Sequence, residues 1–253
     1  MSQVPAATRA LKVLRVLAAH PDPVPLERIA REVGMPRSSA YHLLAAMAAE
    51  GFVVHLPEER RYGLGLTAFE VGSGYERQAP LQRIARRPLA QLVDTVRYSA
   101  HLALPHGRDV LYVIEERARG RPPLVTDVGV RLPAHLTASG RAILAALPAS
   151  QVRALFPSRE TFVDRTGRGP ANLTALRAVL AETRRRGYAT EDGDVTRGFA
   201  SVASAVLDHN GHPVAAVAVT FPSEDETATE RLVGPVRQTA ELLSRRLAGP
   251  RPA

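Results

Sequence analysis

The sequence predicts an α+β chain: an N-terminal winged helix-turn-helix, a linker helix, and a larger domain of helices flanking an antiparallel sheet. Three observations predict it. Residues 26–47, LERIAREVGMPRSSAYHLLAAM, space their positions as two helices at a sharp angle require: Ile29, Val33, Met35, Ala40 and Leu43 are apolar, Ala30 is small at the crossing, and Gly34 stands where the turn needs positive φ. Phe52, Val54 and Leu56 then alternate with Val53 and His55, residues 57–59 turn the chain, and residues 60–64 return as a second strand. The remainder mixes hairpins with helical periodicity and lacks the alternating βαβ order of parallel-sheet enzymes.

Taken in order, Leu11, Leu14, Val16 and Leu17, with Val13 beside them, recur at near-helical spacing over residues 8–19, and His20-Pro21-Asp22-Pro23 ends the run. Pro25 suits the first position of a second helix, and Pro36 opens a third that runs to Glu50 and stops at Gly51. Thr67-Ala68-Phe69-Glu70 has capping-box form, so a linker helix should begin at Thr67 and run toward Arg77 before Pro80 interrupts it. A longer helix over residues 81–95 follows, then strands at 99–104 and 109–114 joined by a His-Gly-Arg turn, and a third strand at 124–128. Helices at 135–147 and 173–186 are ended by Pro148 and Gly187, and strands at 202–207 and 213–220 form a hairpin. Ser223-Glu224-Asp225-Glu226 is a second capping box, opening a final helix to Leu247, and the tail from Ala248 reads as disordered. The expected boundaries are therefore 1–66 for the winged domain, 67–80 for the linker and 81–250 for the C-terminal domain.

Composition narrows the function classes. A chain of 253 residues with 45% hydrophobic and 23% charged residues is globular and long enough for two domains. No run approaches the roughly 20 apolar residues that span a bilayer, and the N-terminus lacks the apolar core of a signal peptide, so a cytoplasmic protein with no membrane partner is expected. The absence of cysteine removes disulfides, thiolate zinc sites and cysteine nucleophiles. The net charge of +8 suits a polyanionic partner, yet residues 1–67 hold eight basic and six acidic residues against 25 and 19 in the rest. The case for DNA thus rests on where Arg37, Arg60 and Arg61 stand. Lys12 is the only lysine among 33 basic residues, a bias that a GC-rich genome explains better than phosphate recognition does.

The outward positions of the third helix lie near its N-terminus, the end that approaches DNA in a helix-turn-helix. Arg37, Ser38, Ser39, Tyr41 and His42 are the DNA-contact candidates: the serines suit phosphate oxygens and base edges, and Arg37 suits guanine or phosphate. Arg60 and Arg61, at the wing, touch phosphate or minor groove, or simply form a solvated hairpin tip. Thr137-Ala138-Ser139-Gly140 opens a helix whose backbone N–H groups favour an anion, so a carboxylate ligand fits there; a capped helix whose glycine permits close packing is the alternative. His209 and His212 have loose metal-ligand spacing without a third ligand and read as solvated, as do His101 and His106. Arg184-Arg185-Arg186 are cations at a helix C-terminus. There is no G-x-S-x-G, Walker loop, dinucleotide fingerprint or H-E-x-x-H, so no catalytic residue, metal or cofactor is expected and the chain reads as a non-enzyme.

Four landmarks follow one another in order: GMPRSSAYHLLAAM at 34–47, RYGLGLTAFEVG at 61–72, GVRLPAHLTASGRAILAALP at 129–148, and RGYATEDGD at 186–194 with GFASVASAVLD at 198–208. With them the chain, from about residue 7 to residue 247, resembles the IclR family of bacterial transcription regulators. The resemblance implies a winged helix-turn-helix, a linker helix and a GAF-like effector-binding domain, assembled as dimers or tetramers on palindromic double-stranded operator DNA. It places Glu191, Asp192, Ser201, Ala218 and Thr220 on or near an effector cavity, where a carboxylate can bond an effector hydroxyl; Leu132, Thr137, Ser139 and Gly140 complete the expected effector set. His42 stands where the family often has Arg, which would make its contact pH-dependent near neutrality, Ser201 where it often has Cys, and Ala205 where it often has Pro. The implied function is a one-component regulator, a repressor rather than an activator, whose effector is a small organic acid or related metabolite. Its recognition helices would sit about one DNA turn apart, roughly 34 Å or a multiple, with Leu11 and Leu14 as dimer contacts or as core. An enzyme with a vestigial helix-turn-helix and a protein–protein adaptor are the rival classes.

Overall fold

The computed structural model describes residues 4–78, 80–120 and 126–248, and the chain divides into two compact units between residues 79 and 80. The first unit runs α1 (Pro5–Ala18), β1 (Val24–Pro25), α2 (Leu26–Val33), α3 (Arg37–Ala49), β2 (Val53–Leu56), β3 (Arg61–Leu64) and α4 (Leu66–Gln78). Gly34 ends α2 at φ 72, and Met35 N–H bonds back to the Ala30 carbonyl at 3.0 Å, so the turn has the left-handed residue that the sequence placed there. Val13, Ile29, Ala40 and Leu44 are fully buried at the centre. Leu44 takes the core position expected of Leu43, which is only half-buried, and Leu11 is 63% exposed while Leu14 packs on the core.

Pro25 does not open a helix. It pairs with Arg61 across the two-residue strand β1, giving an antiparallel sheet of order β1-β3-β2, and α2 starts one residue later. Thr67 likewise falls inside the first turn of α4 rather than at its cap, because its N–H bonds to the Gly51 carbonyl at 3.1 Å. A side chain on Gly65 would collide with that same Gly51 carbonyl, so the β3–α4 corner needs glycine.

The second unit runs α5 (Pro80–Val96), β4 (Ser99–His106), β5 (Asp109–Glu116), β6 (Arg131–Pro133), α6 (Ala138–Ala146), α7 (Ala149–Leu155), a 3₁₀ turn (Arg159–Thr161), α8 (Leu173–Arg186), β7 (Ala189–Asp192), β8 (Phe199–Leu207), β9 (Pro213–Pro222) and α9 (Ala228–Ala248). Its six strands form one antiparallel sheet in the order β6-β5-β4-β9-β8-β7. Strand alternation sends Leu102, Val202, Val217 and Val219 to one face, where Leu89 of α5 and Leu232, Val236 and Leu243 of α9 cover them. The other face presents Ala103, Ala203, Ala216 and Ala218 to α6 and α8 through Ala142, Ile143, Leu176 and Leu180. Pro88 cannot donate to the Ile84 carbonyl one turn back in α5, and Arg246 of α9 supplies that bond at 3.1 Å.

Several expectations are corrected in this unit. Residues 124 and 125 lie outside the described residues and 126–128 are not strand; the edge strand is β6. The helix expected from His135 starts at Ala138 behind the Thr137 cap, because His135 Nε2 donates to the Val163 carbonyl at 3.0 Å instead. The Ser223 box does not cap α9: Ser223 Oγ donates to Asp192 Oδ1 at 2.7 Å and Asp225 receives the Tyr98 hydroxyl at 2.6 Å, so the helix waits until Ala228. His101 is not solvated but fully buried, since β4 is an interior strand; His106, His209 and His212 are exposed. The tail from residue 249 and the residue between α4 and α5 lie outside the described residues. Among those described, no helix is long and apolar enough to cross a membrane, and no group of three His, Asp or Glu could hold a metal ion.

Candidate nucleic-acid interface and effector cavity

In the first unit Ala40, Leu44 and Met47 fix α3 on the core and leave Arg37, Ser38, Ser39, Tyr41 and His42 exposed. No side chain caps α3 and its first turn holds no acid. The N–H groups of Arg37, Ser38 and Ser39 therefore have no intrahelical acceptor and present the positive end of the helix dipole outward. Arg37 reaches Glu27 of α2 at 2.8 Å, an exposed pair worth at most about 1 kcal/mol, which a phosphate can displace. The two wing arginines differ. Arg60 occupies the left-handed region at φ 53 on the exposed turn, whereas Arg61 donates to the Pro23 carbonyl at 2.9 Å and so ties the wing to the segment before β1.

In the second unit the register aligns Glu191 of β7, Ser201 of β8, Thr220 of β9 and Ser99 of β4 in one row. The next row across the sheet is Ala189, Ala203, Ala218 and His101, and the one after it Ala205, Ala216, Ala103 and Tyr112. Rows of alanine beneath α6 leave a cavity that opens to solvent at its mouth. Of the expected effector residues, Thr137, Ser139, Glu191, Ser201, Ala218 and Thr220 line it. Leu132 does not: it is buried in the apolar cluster, paired with Val110. Gly140 does not either; any side chain there would strike the backbone of Ala134, so its role is the close approach of that loop to α6. Asp192, one residue beyond Glu191, points to solvent, where Ser223 and Arg168 meet it.

Tyr112, Thr126 and Phe199 also line the cavity and were not anticipated, although the alternation of Val110 and Tyr112 along β5 was a usable signal. Val195 and Thr196, which follow the acidic turn, stand beside them.

The polar groups fall into two sets. Glu191 accepts from Ser201 Oγ at 2.7 Å and from the Asp194 N–H at 3.2 Å, and Ser201 Oγ lies 3.0 Å from Thr220 Oγ1. Burial pushes the Glu191 carboxyl up to about 7 against the Ser201 bond, with Asp194 adding to the rise. At the other end, Thr137 Oγ1 accepts the Gly140 N–H at 2.9 Å, and the fully buried Ser139 hydroxyl meets the Tyr112 phenol. Tyr112 stands near both hydroxyls, and burial pushes its phenol up to about 12. Behind the wall, His101 Nε2 lies 3.3 Å from Thr126 Oγ1, and burial lowers the imidazole to about 3, so it is neutral. Among the described residues, no Lys or Arg lines the cavity. The cation behind it, Arg141, is committed to structure: it pairs with buried Asp194 and donates to the carbonyls of His135 at 2.9 Å and Thr190 at 2.8 Å.

Residues 6–57 match the IclR helix-turn-helix domain, and residues 74–245 match the C-terminal domain of the bacterial transcriptional regulator IclR. A glycerol operon regulatory protein of Streptomyces griseus is 33% identical over 250 residues, 96% of each chain. The acetate operon repressor of Salmonella typhimurium is 29% identical over 90% of this chain and 85% of its own. A solved IclR-type regulator from Alicyclobacillus acidocaldarius shares the fold, with a TM-score of 0.87 at 24% identity over 98% of this chain and all of that one. The exposed α3 face, the wing and the cavity thus sit in two domains that both match one family: the chain belongs to the IclR family of bacterial transcriptional regulators and is a DNA-binding, effector-binding regulator of transcription.

Proposed function

We propose that the chain is a cytoplasmic, homo-oligomeric repressor that holds a palindromic operator through Arg37, Ser38, Ser39, Tyr41 and His42 and releases it when a small organic acid enters the second unit. The observation that carries this is the uncapped, acid-free N-terminus of α3, exposed on a chain that also holds a cavity beneath α6 lined by alanines and a few polar side chains. The relative named an acetate operon repressor supports the sign. Leu11, Leu66 and Phe69, 63%, 72% and 71% exposed, are apolar side chains that a second copy would cover. An acid that binds one arrangement of the C-terminal domains better than another shifts that equilibrium, and α4 changes the separation of the reading heads. Arg60 meets phosphate from the wing, and Arg61 supports it.

The test is a salt-titrated binding measurement on palindromic DNA flanking the gene. Affinity should fall steeply with salt while a sequence preference persists. Arg37→Ala should weaken operator binding about 10- to 100-fold at fixed salt, the loss of a contact worth roughly 1–3 kcal/mol. Unchanged affinity would remove Arg37 from the interface. Absence of any specific binding at low salt would return the chain to the adaptor or enzyme readings.

A further inference from the structure

A groove separate from the effector cavity runs between the C-terminal halves of α6, α8 and α9 and the outer edge of β8, and the two share no lining residue. Their chemistry differs. Three arginines line the groove, Arg184, Arg237 and Arg245, against one carboxylate, Glu241, which lies 3.9 Å from Arg237. Arg184 Nε donates to the Ala145 carbonyl at the end of α6 at 2.7 Å, which leaves its terminal nitrogens for another acceptor. The Arg237 guanidinium lies across Gly187, within 3.9 Å of the point where a β-carbon would stand, so the glycine that ends α8 also admits it. Arg245 and the Ser204 hydroxyl have no hydrogen-bond or ionic partner among the described residues.

The backbone adds a donor. Strand β7 pairs only with residues 200–203 of β8, so the edge of β8 beyond Ala203 faces the groove with no strand beside it. Asp208 N–H bonds to the His212 carbonyl across the hairpin, and Leu207 N–H turns the other way, to Ser244 Oγ at 2.9 Å. Alternate residues of a strand direct their N–H groups to the same edge, so Ala205 also turns its N–H outward, away from β9. Where the resembled family often has Pro, Ala205 keeps the N–H that proline lacks.

We propose that this groove is a second ligand site that takes a compact polyanion, its carboxylate or phosphate oxygens on Arg237, Arg245 and the Ala205 N–H. One negative charge gains little from one exposed guanidinium in water, whereas a ligand carrying several charges spans more than one arginine. The planar forks of arginine match carboxylate and phosphate alike. Glu241 opposes the ligand, which displaces it from Arg237. The effector cavity is unsuited to such a ligand, since among the described residues its wall offers a buried carboxylate and no cation. The site is therefore independent of which effector that cavity holds.

The experiment is calorimetric titration of the full-length chain with citrate and with pyrophosphate, acetate serving as the single-charge control. The expected result is that at least one polyanion binds about ten-fold or more tightly than acetate, with an affinity that falls as salt is added. The tighter of the two assigns carboxylate or phosphate. Arg237→Ala should weaken that ligand about ten-fold, and Glu241→Gln should strengthen it. Ala205→Pro removes the N–H and keeps every charge, and it should weaken binding as well. Arg185, on the same helix as Arg184 but outside the groove and bonded to Glu182, is the control: Arg185→Ala should leave the affinity unchanged. Polyanions that bind no better than acetate would overturn the site. Equal losses in Arg185→Ala and Arg237→Ala would overturn it too, as attraction to a basic surface at large. Binding that ignores Arg237→Ala and Ala205→Pro would place the anion elsewhere, on α3 for one, and would equally end the proposal. Should Ala205→Pro fail to fold, the arginine variants decide.

Discussion

Asp194→Ala is expected to lower the stability of the second unit by about 3–5 kcal/mol, because it leaves the Arg141 guanidinium buried without its counter-charge. Arg141 is 5% exposed, so water cannot replace the carboxylate unless the loop after β7 opens. For a unit of this size the loss corresponds to a fall in Tm of roughly 10 °C, measurable by calorimetry on the full chain. The neighbouring bonds predict an asymmetry: Arg141 would still donate to the His135 and Thr190 carbonyls, so the unit should remain folded at room temperature. Replacing both partners with apolar residues, Arg141→Met with Asp194→Leu, should recover part of the loss, since the desolvation of both charges disappears with the pair. A drop below about 1 kcal/mol for the single change would mean that the pair is hydrated and carries no such weight.

The second large effect is a stability profile with two opposing limbs. His101 is held neutral by burial, with its pKa lowered from 6.5 to about 3, so the folded chain binds fewer protons than the unfolded one between those values. Its contribution is complete above pH 6.5 and is lost as pH falls toward 3, on the order of 4 kcal/mol. The lowered His135 acts in the same direction. Glu191 works oppositely. Its pKa is raised from 4.5 to about 7, so its contribution is complete below 4.5 and is lost as pH rises through 7, on the order of 3 kcal/mol. Denaturant titrations across pH should therefore show Glu191→Gln exceeding the wild type in stability at pH 8 but not at pH 4.5. His101→Phe, which keeps a ring against Tyr112, should flatten the acid limb. Parallel profiles for wild type and both variants would refute the burial-driven shifts.

Both effects sit on features that the sequence disclosed unevenly. Where a single residue decides the backbone, the sequence was legible: Gly34 and Gly187 end α2 and α8 in the left-handed conformation, and Leu173–Arg186 forms with the expected bounds. Short edge strands were not legible, because three residues in β6 or four in β7 carry no usable periodicity. Long-range partners overrode local signals at Ser223, which bonds Asp192 across the fold rather than capping its own helix, and at Pro25, which a strand partner claims. The cavity was half legible. Ser139 followed from the helix start and Glu191, Ser201 and Thr220 from the resemblance, but Asp192 and Glu191 look equivalent in a linear acidic run and are separated only by the pleat of β7. Tyr112 and Thr126 reach the wall from segments distant in sequence, and the burial of His101 depends on β4 lying inside the sheet.

The central claim is that a ligand in the second unit controls DNA held by the first. Its most direct test is operator affinity, by fluorescence polarisation at one salt concentration, for wild type and Ser139→Ala, with and without whichever small carboxylic acid of a screened panel binds the chain most tightly. The account predicts at least a ten-fold weakening of wild-type affinity on adding the acid, and unaltered ligand-free affinity for Ser139→Ala with its response lost or displaced to much higher acid concentration. Wild-type affinity that ignores the acid, or a Ser139→Ala response indistinguishable from wild type, would contradict it.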